Sequence, residues 1–169
     1  VLAYVGNNWW KQQQEQKLDA AFADFRAALD SGNPASLVDV ATGHPGSTVA
    51  NMAKVSAAGM YVDLARKGLK PGANFAAPTP EDRLDEAGKR NMQAEATKLI
   101  DAVLANPDSN ASLKQQARWF RATLQADAGD VAGAVKTMEE VAASAKAMGF
   151  TDQETKATQR IEHLKRLAS

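Results

Sequence analysis

The side chains able to do chemistry in this chain are few and scattered. Its two histidines stand apart, His44 in the turn Gly43-His44-Pro45-Gly46 and His163 in the amphipathic run Ile161-Glu162-His163-Leu164-Lys165-Arg166. A metal site or an acid–base pair needs a second ligand or a carboxylate at helical spacing, and neither H-x-x-x-H nor H-E-x-x-H occurs. Both histidines therefore read as surface residues. The acidic groups Glu81-Asp82 with Asp85-Glu86, and Glu139-Glu140, would suit general acid–base work if they converged. The first group sits where a helix starts, so the helix dipole accounts for it, and the second reads as a solvated face. Cysteine is absent, which removes a disulfide framework, a thiolate metal site and a cysteine nucleophile. The glycines stand singly at helix ends rather than in a phosphate-binding loop. Asn110-Ala111-Ser112 has the form of a glycosylation sequon, which matters only in a eukaryotic secretory setting. No catalytic, cofactor-binding or metal-ligating residue is assigned, and the expected function is binding.

Charge narrows the partner. With 20 acidic and 20 basic residues the formal net charge is zero, and adjacent basic residues occur only in isolated pairs such as Lys89-Arg90 and Lys165-Arg166. That is a poor footprint for a phosphate backbone, so other proteins or peptides, not nucleic acid, are the expected partners. A chain of 169 residues fits one domain able to bury roughly two-thirds of its unfolded surface without disulfide or metal. Alanine, leucine, glutamine, lysine and glutamate dominate, while β-branched and aromatic residues are sparse. This is helix-forming composition.

The elements that would position a binding surface are legible from period and punctuation. Leu18, Ala21, Phe22, Phe25, Ala28 and Leu29 recur at three and four within a helix from about Asn8 to Ser31, which Gly32-Asn33-Pro34 stops. A short helix runs from Pro34 to about Thr42. Ser47 or Thr48 caps a third, whose stripe Ala50, Ala53, Ala57, Met60, Tyr61, Leu64 and Ala65 reaches Gly68. Leu69 to Pro80, with three prolines, is irregular, and its Phe75 is expected to fold back on the helices. Thr79 is read as the N-cap of a fourth helix with Pro80 at its first position, running to about Ala105 through Leu84, Ala96, Leu99 and Val103. A fifth helix, about Asn110 to Ala128, buries Leu113, Ala117, Phe120 and Leu124. Asp130 caps a sixth that Gly149 ends, and Thr151-Asp152-Gln153-Glu154 is read as a capping box for a seventh with Ala157, Ile161, Leu164 and Leu167 inward.

Short turns between helices imply hairpins, and two turns repeat: His44-Pro45-Gly46-Ser47 and Asn106-Pro107-Asp108-Ser109 each precede an alanine-punctuated helix. In ARWFRATLQADAGDVAGAVKTMEE, Gly129 makes the interhelix turn, Ala134 lies five residues on and Met138 four after that. This resembles the second half of the tetratricopeptide consensus, with Ala122 at the small position of the first helix and Arg118 and Gln125 departing from aromatic places. Sterically, Ala134 lets two helices cross closely and Met138 fills the gap one turn later. The expected fold is all-α: about three antiparallel helix hairpins in a tetratricopeptide-like right-handed solenoid, closed by a C-terminal capping helix. Such an array offers a surface made by the first helix of each pair. Asn51, Lys54, Tyr61, Lys114, Arg118, Arg121 and Gln125, read as flanking the buried stripes of the third and fifth helices, are the expected protein-binding residues.

The opening VLAYVGNNWWKQQQEQK runs apolar, aromatic, basic, polar, the order in which a helix leaves a bilayer. Trp9, Trp10 and Lys11 are read as interfacial anchors, residues 1–7 as the end of a membrane helix or a disordered terminus, and residues 8–169 as the single helical domain. Trp9-Trp10 with Gln12 to Gln14, the segment Gly43 to Ala53, and the segment Ala117 to Met138, in that order, resemble the ancillary translocon-subunit (YfgM-like) family of bacterial inner membranes. The resemblance implies a membrane-tethered, periplasmic domain that binds other proteins, in that family the secretion channel and periplasmic chaperones. The Leu69 to Pro80 insertion departs from that pattern. A soluble cytoplasmic adaptor or assembly factor is the alternative, and a helical-bundle enzyme the outsider.

Overall fold

A computed structural model describes residues 2–74 and 76–167, with side chains from Glu15 onward. The chain is an all-α array of helix hairpins: α1 (Leu2–Asp30), α2 (Pro34–Gly43), α3 (Thr48–Lys67), α4 (Glu86–Ala105), α5 (Ala111–Asp127), α6 (Val131–Ala147) and α7 (Thr151–Leu167). The side chains of Trp9, Trp10 and Lys11, and all of Phe75, lie outside the described residues. The backbone of α1 is helical from Leu2, well before Asn8.

Side chains with few alternatives fix most helix starts. Each of Asn33, Ser47, Asn110 and Asp130 turns an oxygen onto a backbone N–H two or three residues on, at 2.9–3.0 Å, satisfying a donor the helix itself leaves open. Gly68 and Gly129, with φ of 64° and 83°, take the left-handed conformation that ends α3 and turns α5 into α6.

Two starts differ from the sequence reading. Thr79 does not begin α4. Its backbone N–H and hydroxyl both donate to Asp82 Oδ2, at 2.8 and 3.0 Å, closing a single 3₁₀ turn at Pro80–Asp82. The chain then extends so that Lys70 N–H donates to the Asp82 carbonyl and Leu84 N–H to the Gly68 carbonyl, both at 2.8 Å. These cross-loop bonds cannot coexist with a helix through Arg83, and α4 starts instead at Glu86, capped by Asp85, whose carboxylate accepts from Gly88 N–H at 2.7 Å. In α7 the N–H groups of Gln153 and Glu154 donate to the Phe150 carbonyl. Phe150 thus holds the cap position, Thr151 is the first helical residue, and the capping box does not form.

The helices pair in sequence, α1 with α2, α3 with α4 across the long loop, and α5 with α6, while α7 packs on α6. The third helix is the hub. It buries Val49, Ala50, Ala53, Val55, Ala57, Ala58, Val62 and Leu64, positions that run right round the helix rather than along the one stripe expected, because α2, α4 and α5 all pack on it. Gly59 permits the closest of these approaches. A Cβ built there would lie 2.7 Å from Cζ of the Phe120 ring on α5. In the α5–α6 hairpin Ala122, Ala134 and Met138 are buried. In α7, Ala157 and Leu164 are buried and Leu167 is 64% exposed.

Candidate functional site

The fifth helix has two buried faces. Leu113, Ala117, Phe120 and Leu124 meet the core around α3, while Trp119, Ala122 and Ala126 join a second cluster with α6 and α7. Gln115 lies one turn before Trp119 on that second face. It is only 4% exposed, and neither its Nε2 nor its Oε1 has a hydrogen-bond partner. An amide buried in this way costs about 1–3 kcal/mol for each unpaired group, so it is a feature that the fold carries against its own stability.

That amide lines a groove of about 460 Å³ between α5 and α7. Ser112, Gln115, Gln116, Trp119 and Phe120 come from α5, and Gln153 and Lys156 from α7. The lining is chemically uneven: two aromatic rings, three carboxamides and a hydroxyl, with one charge. Lys156 forms no ion pair among the described residues, whereas Arg118, Arg121 and Lys165 all do. The groove exists because α5 and α7 both pack on α6 but meet each other little, leaving an open trough above the α6 ridge.

The residues expected to bind partners lie elsewhere. Asn51 does not flank the buried stripe but belongs to it: it is 2% exposed, and its Oδ1 accepts from Asn106 Nδ2 at 3.1 Å, tying α3 to the turn before α5. Lys54 and Tyr61 are half-buried on α3. Burial first, and then the Glu95 and Asp39 carboxylates, hold the Tyr61 hydroxyl above its ordinary pKa. On α5, Arg118 pairs with Glu140 of α6 at 3.3 Å, Arg121 pairs with Asp101 of α4, and Gln125 accepts from Thr137 of α6 at 2.8 Å. Lys114 is half-buried on the same side. At 100° per residue these four centre roughly 160° around α5 from the groove residues. They clamp α5 to its neighbours, and the structure brings the predicted set to no common open surface.

The histidines behave differently from each other. His163 is exposed, while His44 Nε2 lies 2.8 Å from Asp24 Oδ2 and links the α2–α3 turn to α1. The first acidic cluster is structural: hydrogen bonds from the Thr79 backbone and hydroxyl hold Asp82 below the ordinary carboxylate range, and a hydrogen bond from Lys89 lowers Glu86. Among the described residues no group of three or more His, Cys, Asp or Glu could hold a metal ion, and no helix is long and apolar enough to cross a membrane.

Gln115 was missed because a glutamine on an amphipathic helix ordinarily faces water. The available signal was the second apolar row, Trp119, Ala122 and Ala126, following Gln115 in successive steps of four, three and four residues, which marks a helix packed on two sides. Comparison with protein-family models, with curated proteins and with solved structures gives no match to this chain.

Proposed function

We propose that this domain is a non-catalytic protein-interaction scaffold whose binding site is the α5–α7 groove. The observation that carries the reading is the open trough itself, in which Trp119 and Phe120 stand among the polar groups of Ser112, Gln116, Gln153 and Lys156. The lining sets two aromatic rings among three carboxamides, a hydroxyl and one lysine outside any described ion pair, a mixture suited to contact with another chain.

The tether belongs to the same proposal. Glu15 to Ala20 are all exposed, and the first buried residue of α1 is Ala21, so at least the six residues before it contribute nothing to the core. A projecting helix that continues into Trp9, Trp10 and Lys11 suits a stalk between a bilayer and a binding domain. On this reading the domain faces the periplasm of a bacterial inner membrane and assists secretion or envelope assembly, as the translocon-subunit resemblance implies.

Site-specific photocrosslinking in cells tests the scaffold. A crosslinker replacing Gln116, exposed at the groove, should give discrete protein adducts, whereas one replacing Arg90, exposed on α4, should not. Equal adduct patterns at the two positions, or none, would refute the groove as the interface. Carbonate extraction of membranes carrying the full-length protein tests the tether: release into the supernatant points to the soluble adaptor instead.

A further inference from the structure

Resting on the reading of the α5–α7 groove as a protein-binding site, we infer that its partner is a second copy of this chain, docked about a two-fold axis over the groove and the α6–α7 turn beside it. A two-fold contact requires one patch to carry both a projection and the recess that receives it, and both members of every charge pair. The recess is the trough walled by Trp119 and Phe120 of α5 and by Gln153 and Lys156 of α7. The projection is Phe150, whose carbonyl accepts from the N–H groups of Gln153 and Glu154 at the start of α7. Phe150 is 41% exposed, and it is the one aromatic residue among the large apolar residues left exposed by the described chain, the others being Leu18 on α1 and Leu167 at the end of α7. An exposed ring and a trough with aromatic walls thus share one edge of the molecule, separated by a single turn of chain.

The charges on α7 meet the same requirement. Asp152 and Lys156 are both exposed, and their spacing of four residues places them on one face of the helix, one turn apart. Neither forms an ion pair among the described residues, whereas Arg118, Arg121 and Lys165 each pair with a neighbouring helix. An axis that crosses α7 between the two sets Asp152 of each copy against the partner's Lys156, so one contact makes the pair twice. Phe150 of each copy then turns toward the partner's groove, where Trp119 and Phe120 offer the edge and face contacts that aromatic rings favour. A second copy supplies the apolar ring and the carboxylate from adjacent positions of the same patch, so the contact needs no feature that the chain does not already present.

Sedimentation velocity of the full chain over a range of concentrations tests the contact and should show a monomer–dimer equilibrium. Phe150→Ser, which removes two rings from one interface, should weaken dimerisation at least about hundredfold. Lys156→Glu and Asp152→Lys should each weaken it at least about tenfold, by setting like charges against each other twice. Mixed in equal amounts, the two charge variants should form a heterodimer about as tight as the wild-type dimer, because one carries acids and the other bases at both positions and every pair is restored. A folding defect cannot produce that rescue, since each variant keeps its own defect in the mixture. A chain monomeric at every concentration sampled, a Phe150→Ser dimer as tight as the wild type, or charge variants that fail to recover on mixing would each overturn the inference. A monomeric chain whose Gln116 crosslinker still captures other proteins in cells would sink the second copy and leave the groove as the interface; loss of both would sink both.

Discussion

Gly59 and Phe120 allow the contact between α3 and α5 to be measured. Replacing a mid-helix glycine by alanine gains about 1 kcal/mol from backbone entropy alone when nothing obstructs the new methyl group. Here the methyl carbon would sit 2.7 Å from Phe120 Cζ and 3.1 and 3.3 Å from its Cε atoms, all inside the usual 3.4 Å limit of carbon contact. Relieving that overlap requires the ring or one helix to shift, at about 1–3 kcal/mol, so Gly59→Ala should range from neutral to about 2 kcal/mol destabilising. In a Phe120→Ala background the obstruction is gone and the same substitution should stabilise by about 1 kcal/mol. The double-mutant cycle therefore carries a coupling of about 1–3 kcal/mol. Urea titrations followed by far-UV circular dichroism on the four proteins give the cycle directly. If Gly59→Ala stabilises by the same amount with and without the Phe120 ring, the ring does not lie over Gly59 and the α3–α5 packing described above is wrong.

Other positions test the remaining contacts. Ala134 is fully buried at the α5–α6 crossing, and Ala134→Leu should cost about 1–3 kcal/mol by overpacking, measured by the same titration; a neutral result would place the crossing elsewhere. Asn51→Ala should cost about 1–3 kcal/mol, since it removes the acceptor of Asn106 Nδ2 within the core; a wild-type stability would make Asn51 free for a partner. Because the Thr79 hydrogen bonds lower the Asp82 pKa, their contribution is present above the ordinary carboxylate range and is lost as pH falls through the depressed value. The Thr79 amide resonance followed by NMR should report that acid transition and should lack it in Asp82→Asn; a transition that persists in the variant belongs to another group.

The helices, their order and most of their caps were legible because the signals are local. Ser47, one of the two caps read for α3, and Asp130 each cap as read, their oxygens reaching a backbone N–H three residues on, while Asn110, read as the start of α5, caps it. Thr79 and Thr151 carry the same local signals and start no helix in the expected way. At Thr79 the deciding bonds come from Gly68 and Lys70, on the far side of the loop, which pull the chain at Arg83 into extended backbone. At Thr151 the turn from Gly149 is so short that Phe150 already occupies the cap. Local propensity proposed both starts, and partners distant in sequence or a geometric limit on the link overrode them.

The open surface of the array was far less legible, and α5 shows why. A single buried stripe was read from Leu113, Ala117, Phe120 and Leu124, which made Lys114, Arg118, Arg121 and Gln125 its flanks and therefore its exposed face. In an array of hairpins an inner helix touches both the preceding pair and the following one, so its flanks are interfaces too, and charged residues there pair with neighbours instead of waiting for a partner. What remains open on such a helix is the narrow sector that neither neighbour covers. On α5 that sector holds Ser112, Gln116 and the edges of Trp119 and Phe120, with Gln115 at its margin. Its composition is unremarkable by residue type, and at its margin Gln115 is buried with both amide atoms unpaired, as is the Ser109 hydroxyl in the turn before α5, whereas the Asn51 oxygen accepts from Asn106. Buried unpaired polarity therefore does not by itself mark the open sector, which is set by where α3, α4 and α6 leave α5 uncovered.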